Sequence, residues 1–237
     1  MDDEALRVWE LIGGAAGRGA PVGVQDVCTA CVDALRLSGG GLSVISDASG
    51  LRLMPLHVVG TLGRDLLEAE LTSGDGPCVD TVNGRVAVLV SDLCGRAQQE
   101  RWPLFTALSQ AARVRAVFAF PLLAGPVSVG VLVLCHDRPR WLSEAEQAQA
   151  RHFADAALLL LLNMVMVDGD GEAIPVGALA LGPEIHQASG IVAVQIGCSV
   201  EEALLRLRAW ALAADEPLSE VARRVVGHTL RFSGHET

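Results

Sequence analysis

Four side chains near the end of the chain, Arg223, Arg224, His228 and Arg231, are spaced so that a helix would gather them. Arg224, His228 and Arg231 fall at i, i+4 and i+7, opposite a stripe containing Val221 and Val225, with Arg223 one step aside. Guanidinium groups grip phosphates and base edges in a bidentate way, whereas His228 adds charge only at lower pH. Unpaired bases of RNA hairpin loops are read with that chemistry, combined with stacking on aromatic or Arg planes. Upstream, Glu202, Arg206 and Trp210 recur at i, i+4 and i+8. Trp210 either offers a stacking plane or fills a core. Arg206 either meets a phosphate or pairs with Glu202 on the surface, a pair worth about 0.3–0.5 kcal/mol. Arg208 sits about 200° round the helix from Arg206 and serves a different face. Gln187 and Ser189 carry donors for a base or phosphate, or are solvated edges.

Other reactive residue types read as structural. Cys28 and Cys31 form a CxxC inside the apolar stretch VQDVCTACVDAL, with no second pair to complete a zinc site, so they are expected in the core. Asp168 to Gly171 matches the start of a calcium loop but lacks its downstream acids, and GGAAGRG at 13–19 lacks the GK[ST] of a phosphate-cradling loop. Cys78 and Cys94, 16 residues apart, form a disulfide only if the fold joins them. No catalytic residue, metal ligand or cofactor is identified.

The chain has 237 residues, half of them apolar, and a net charge of −10; its eighteen basic residues are all Arg. That charge argues against coating nucleic acid non-specifically, so any RNA contact must be a local patch. Residues 1–167 and 168–237 each carry net −5. The N-terminus is acidic and amphipathic, unlike a signal peptide, and the most apolar run, Ala154–Val167, is too short to span a bilayer. A cytoplasmic protein with reduced cysteines and no membrane contact is expected.

The elements that must position these residues follow from periodicity. Helices are expected over 3–17 and 22–37, then a strand pair (39–46 and 51–59) turning at Asp47–Gly50, two short helices, and a buried strand over 86–93. One helix over ERWPLFTALSQAARV and a hairpin turning at Gly125–Pro126 come next. A long helix opens with the capping pattern Ser143–Glu146 and runs to about Val167. Its Ala156, Leu160, Asn163 and Val167 would form a seam for a partner helix, with Asn163 fixing register; the same face could instead pack on its own sheet. After a Gly- and Pro-rich break at 168–183, three helices are expected: Pro183 to Ile196, Ser199 to Ala214 with a Ser199–Glu202 capping box, and one with Pro217 in its first turn. The fold class is therefore α+β: an antiparallel sheet flanked by helices in 1–167, a linker at 168–177, and a small three-helix bundle in 178–237.

The pattern QASGIVAVQIGCSVEEALLRLRAWALAADEPLSEVARRVV resembles the ANTAR family of RNA-binding antitermination modules. GDGPCVDTVNGRVAVLVSDL, ERWPLF and AVFAFPLLAGPVSVGVLVL together resemble a GAF domain. The resemblance implies a homodimeric regulator that binds paired hairpins in a leader transcript under the control of a small-molecule or protein ligand of the GAF domain. Ser189 stands where many family members carry a basic residue. No receiver domain with a phosphorylatable Asp is evident. Because some GAF proteins reduce free methionine sulfoxide with cysteines, a thiol reductase using Cys78 and Cys94 is one alternative. A module that only dimerises or binds a protein is another.

Overall fold

A computed structural model describes residues 3–17, 21–45, 53–166 and 184–233. The turn at 47–50, the linker at 168–177, Val167, Pro183 and the two domain boundaries lie outside the described residues. The chain divides into two compact units, 1–70 with 74–181 and 182–237 with 71–73.

In the first unit α1 (Asp3–Ala16) and α2 (Val24–Ala34) precede β1 (Gly39–Ile45) and β2 (Leu53–Val59). Then come α3 (Gly60–Ser73), α4 (Pro77–Gly84), β3 (Val88–Val90), α5 (Arg96–Arg101), α6 (Pro103–Ala111), the hairpin β4 (Ala116–Ala124) and β5 (Val127–His136), and α7 (Glu144–Met166). The five strands are ordered β2-β1-β5-β4-β3, each pair antiparallel. Strand alternation sends Phe118, Phe120, Leu132 and Leu134 to one face, where they share a core with α1, α2 and α7. Val117, Ala119, Val131, Val133 and Cys135 point the other way and share a core with Leu66, Cys78, Trp102 and Phe105 from the helices between β2 and β4. α3 lies against β1 so closely that a Cβ on Gly63 would stand 2.5 Å from the Gly40 carbonyl oxygen.

Three expectations change here. The strand expected over 86–93 shrinks to Val88–Val90 at the sheet edge, with only Val90 buried. The single helix expected after it is broken at Trp102, because Pro103 disfavours helical backbone in the residue before it. The partner seam on α7 also divides: Ala156 and Leu160 pack into the domain's own core, and the exposed positions are Leu159, Leu162, Asn163 and Met164. The Ser143–Glu146 capping box forms as expected, Glu146 accepting from the Ser143 amide (2.8 Å) and Ser143 Oγ accepting from the Glu146 amide (3.3 Å).

In the second unit α8 (Glu184–Ile196), α9 (Val200–Ala214) and α10 (Leu218–Val226) share one core built from Ile185, Ala188, Val192, Leu204, Leu207, Val221 and Val225, among others. Gly197 ends α8 in the left-handed region (φ 68°), and Ser199 caps α9 by accepting from the Glu202 amide at 3.1 Å. Pro217 is the N-cap of α10 rather than a residue of its first turn.

Candidate functional site

The expected basic face on the third helix does not form as a single stripe. α10 stops at Val226, and four amides turn back onto it: Gly227 onto Arg223, His228 onto Val225, and Thr229 and Leu230 onto Arg224. Gly227 cannot hold a helix here against the pull of Leu230, which is buried, and Phe232, whose ring meets Trp210 at 5.4 Å. His228 therefore sits in the left-handed region (φ 58°) and Arg231 lies beyond the helix; both are exposed. The i, i+4, i+7 alignment is lost because the helical period ends after its first member.

The remaining cations differ in how they are held. One guanidinium nitrogen of Arg224, Nη1, donates to both carboxylate oxygens of Glu216 (2.9 and 2.6 Å), which ties α10 to the turn after α9. Arg223 pairs with Glu220 one turn back and stays more than half exposed. Arg206 pairs with Glu202 at 3.2 Å, so Glu202 turns to Arg206 while Ser199 caps the helix. Arg208 is half-buried on another face of α9. Arg223, His228 and Arg231 thus sit at one end of α10 and its following turn, while Arg206 stands apart on α9.

Ser189 is removed from any surface role. It is 1% exposed, and its hydroxyl donates to the Ile185 carbonyl at 2.8 Å, one turn back on its own helix. Trp210 is half-buried against Phe232 and the bundle core, which makes it a packing residue rather than a stacking plane. Gln187 is exposed and lines a shallow apolar groove along α8 with Gly190, Ile191, Val194 and Gln195. Val194 is 85% exposed, an apolar feature that helical periodicity in the sequence gave no reason to single out.

In the first unit Cys28 and Cys31 are buried, as expected for core thiols, and burial pushes Cys28 up to about 12. Cys78 is buried at the start of α4, its thiol pushed well up by burial and by neighbouring Glu70, whereas Cys94 is exposed after β3. A nucleophilic thiol needs the opposite environment. Among the described residues no cluster of three His, Cys, Asp or Glu is placed to hold a metal, and no single helix is long and apolar enough to cross a membrane.

Sequence reasoning missed Glu70. Its buried carboxylate, in the last turn of α3, accepts from the Cys78 amide (2.7 Å) and the Val79 amide (3.0 Å) of α4. The only signal was an acid in LLEAEL ahead of a GDG turn.

A GAF domain model matches residues 24–161, more than half of the chain. Similar solved structures include the GAF domain of an Acinetobacter phosphoenolpyruvate-protein phosphotransferase, at 13% identity and TM-score 0.49, covering 70% of this chain and 98% of that one. The free methionine-R-sulfoxide reductase of Neisseria meningitidis is similar at 14% identity and TM-score 0.47, covering 68% and 92%. A methyl-accepting chemotaxis protein, residues 122 to 287, is similar at 14% identity and TM-score 0.46, covering 70% and 99%. No curated protein sequence matches the chain. With the matched segment spanning α2 to α7, the chain belongs to the GAF domain family.

Proposed function

We propose that this protein is a cytoplasmic, non-enzymatic GAF-controlled regulator whose C-terminal helices bind paired hairpins in a leader transcript. The GAF fold, a small-molecule sensor fold, supplies the input. The observation that carries the output is the exposed group Arg223, His228 and Arg231 at the end of α10. The Arg223–Glu220 pair is a surface pair worth only a few tenths of a kcal/mol, so a phosphate can displace the carboxylate. The ANTAR-like sequence pattern points to the same ligand. Filter binding to a two-hairpin leader RNA tests it: Arg223→Ala/Arg231→Ala should weaken binding and lower the salt slope by about two. Equal affinities and slopes would reject this surface.

One observation favours a second reading, in which the C-terminal helices serve a protein contact, including self-association. The groove on α8 carries no charged residue, and Val194 stands exposed at its edge. Sedimentation of Val194→Glu against the native chain distinguishes the two. Loss of a dimer with RNA binding intact assigns the groove to association alone.

A further inference from the structure

The middle of α8 holds a residue that its own bundle does not require. Gly190 lies midway along this helix of 13 residues, where glycine costs stability relative to alanine. At Gly63 a close approach explains the glycine, but a Cβ on Gly190 would meet nothing within 4 Å. Its φ does not lie in the left-handed region either. One turn on, Val194 is 85% exposed, although α8 supplies Ile185, Ala188 and Val192 to the bundle core. Gln187, Gly190, Ile191 and Val194 follow at i, i+3, i+4 and i+7 and line one shallow groove with Gln195. That spacing makes the four-residue hole into which a knob from a facing helix fits. Gly190 deepens the hole, and Val194 stands beside it as a knob.

We propose that α8 pairs antiparallel with α8 of a second copy of this chain, each Val194 entering the hole around the other copy's Gly190. The pairing rests on the reading of the C-terminal helices as a self-association surface, and it names the face that meets. Knob and hole lie on one face of one helix, so a two-fold axis satisfies both at once, as an isologous contact requires. Around such an axis a charged residue is brought towards its own copy, which costs binding energy. The five groove residues are all uncharged, in a chain of net charge −10. Two acidic copies can therefore meet here without opposing like charges, whereas a strongly acidic or basic partner finds no counter-charge.

The contact is small. One pair of helices this short falls below the roughly 1,200 Å² of a standard stable interface, so the dimer forms and parts with concentration. That weakness is compatible with the RNA reading. A dimer carries two α10 ends, and two adjacent hairpins on one transcript would hold two copies at high effective concentration.

Crosslinking of the full-length chain tests the pairing without RNA. Val194→Cys, combined with Cys94→Ser and Cys198→Ser, places two thiols beside the axis, where a short bismaleimide should join two copies. Leu205→Cys in the same background, on the 61% exposed position of α9, should crosslink roughly tenfold more slowly, as a collision product. Gly190→Ala adds a methyl that touches nothing in its own chain. It should raise the melting temperature of the dilute protein by a few degrees yet slow crosslinking at Val194→Cys severalfold. Equal crosslinking at the two positions, or a Gly190→Ala chain that crosslinks as fast as its parent, would overturn the pairing. So would a Gly190→Ala chain whose RNA binding falls while its crosslinking holds, because the hole would then belong to RNA. If Val194→Glu abolishes a dimer in sedimentation while Val194→Cys fails to crosslink, the α8 pairing alone is wrong and the wider reading of self-association stands.

Discussion

Replacing Arg224 with Ala removes a strut, not a ligand, and its size can be worked from the geometry. Two contacts of 2.9 and 2.6 Å join Arg224 to Glu216, and both side chains are about one-third exposed (35% and 34%). Solvent screening keeps such pairs to about 0.2–1 kcal/mol, and the short charge-assisted contacts place this one near the top of that range. A double-mutant cycle with Glu216→Ala should give a coupling of about 1 kcal/mol that shrinks with added salt. Urea unfolding followed by the Trp210 emission, defined by subtracting a Trp210→Phe variant, reports on the correct bundle because that ring packs on Phe232. Arg223→Ala, whose pair with Glu220 is more exposed, should cost only a few tenths of a kcal/mol. The RNA assay should reverse that order: Arg223→Ala lowers the salt slope by about one, and Arg224→Ala leaves it unchanged. A coupling of zero, with Arg224→Ala lowering the slope as much as Arg223→Ala, would refute the assignment of roles.

Further expectations concern burial. Ser189→Ala should cost no more than about 1 kcal/mol, since only an internal back-bond is lost, whereas Ser189→Arg should destabilise the bundle severely; thermal melts separate them. A thiol reagent should modify Cys94 at once in the native protein and leave Cys28, Cys31, Cys78 and Cys135 protected until unfolding, as counted by mass spectrometry. Phe105→Ala, fully buried beneath the sheet, should cost about 3–5 kcal/mol in denaturant unfolding. Burial pushes the Glu146 carboxyl up, but hydrogen bonds from Ser143 and the charge and hydrogen bond of Arg140 together outweigh it and hold the group below the usual carboxylate range. That contribution is present above the unfolded value and is lost as pH falls through the folded one, so Glu146→Gln should narrow the acid-side slope of stability.

Local rules were legible in the sequence wherever one residue decides the outcome. Ser143–Glu146 and Ser199 announce helix starts, Gly197 announces a stop, and the alternation in β4 and β5 divides two cores. The errors share a cause: period alone does not say where an element ends or what covers it. Arg224, His228 and Arg231 keep helical spacing in sequence, but Leu230 and Phe232 are drawn back to the bundle and end the helix first. Ala156 and Leu160 have the spacing of a partner seam, yet the domain's own sheet and helices claim them. Ser189 reads as an edge because hydroxyls usually face water, and only the packing of α8 reveals its inward hydrogen bond. Glu70 was invisible because its partners lie across a turn whose geometry depends on two left-handed glycines.

Crosslinking the protein to RNA in living cells and sequencing what is bound tests the central claim most directly. Transcript leaders with two adjacent hairpins ahead of a terminator should be enriched, and the enrichment lost in Arg223→Ala/Arg231→Ala. Recovery of no RNA above the uncrosslinked background, or of RNA unaffected by those substitutions, would contradict it.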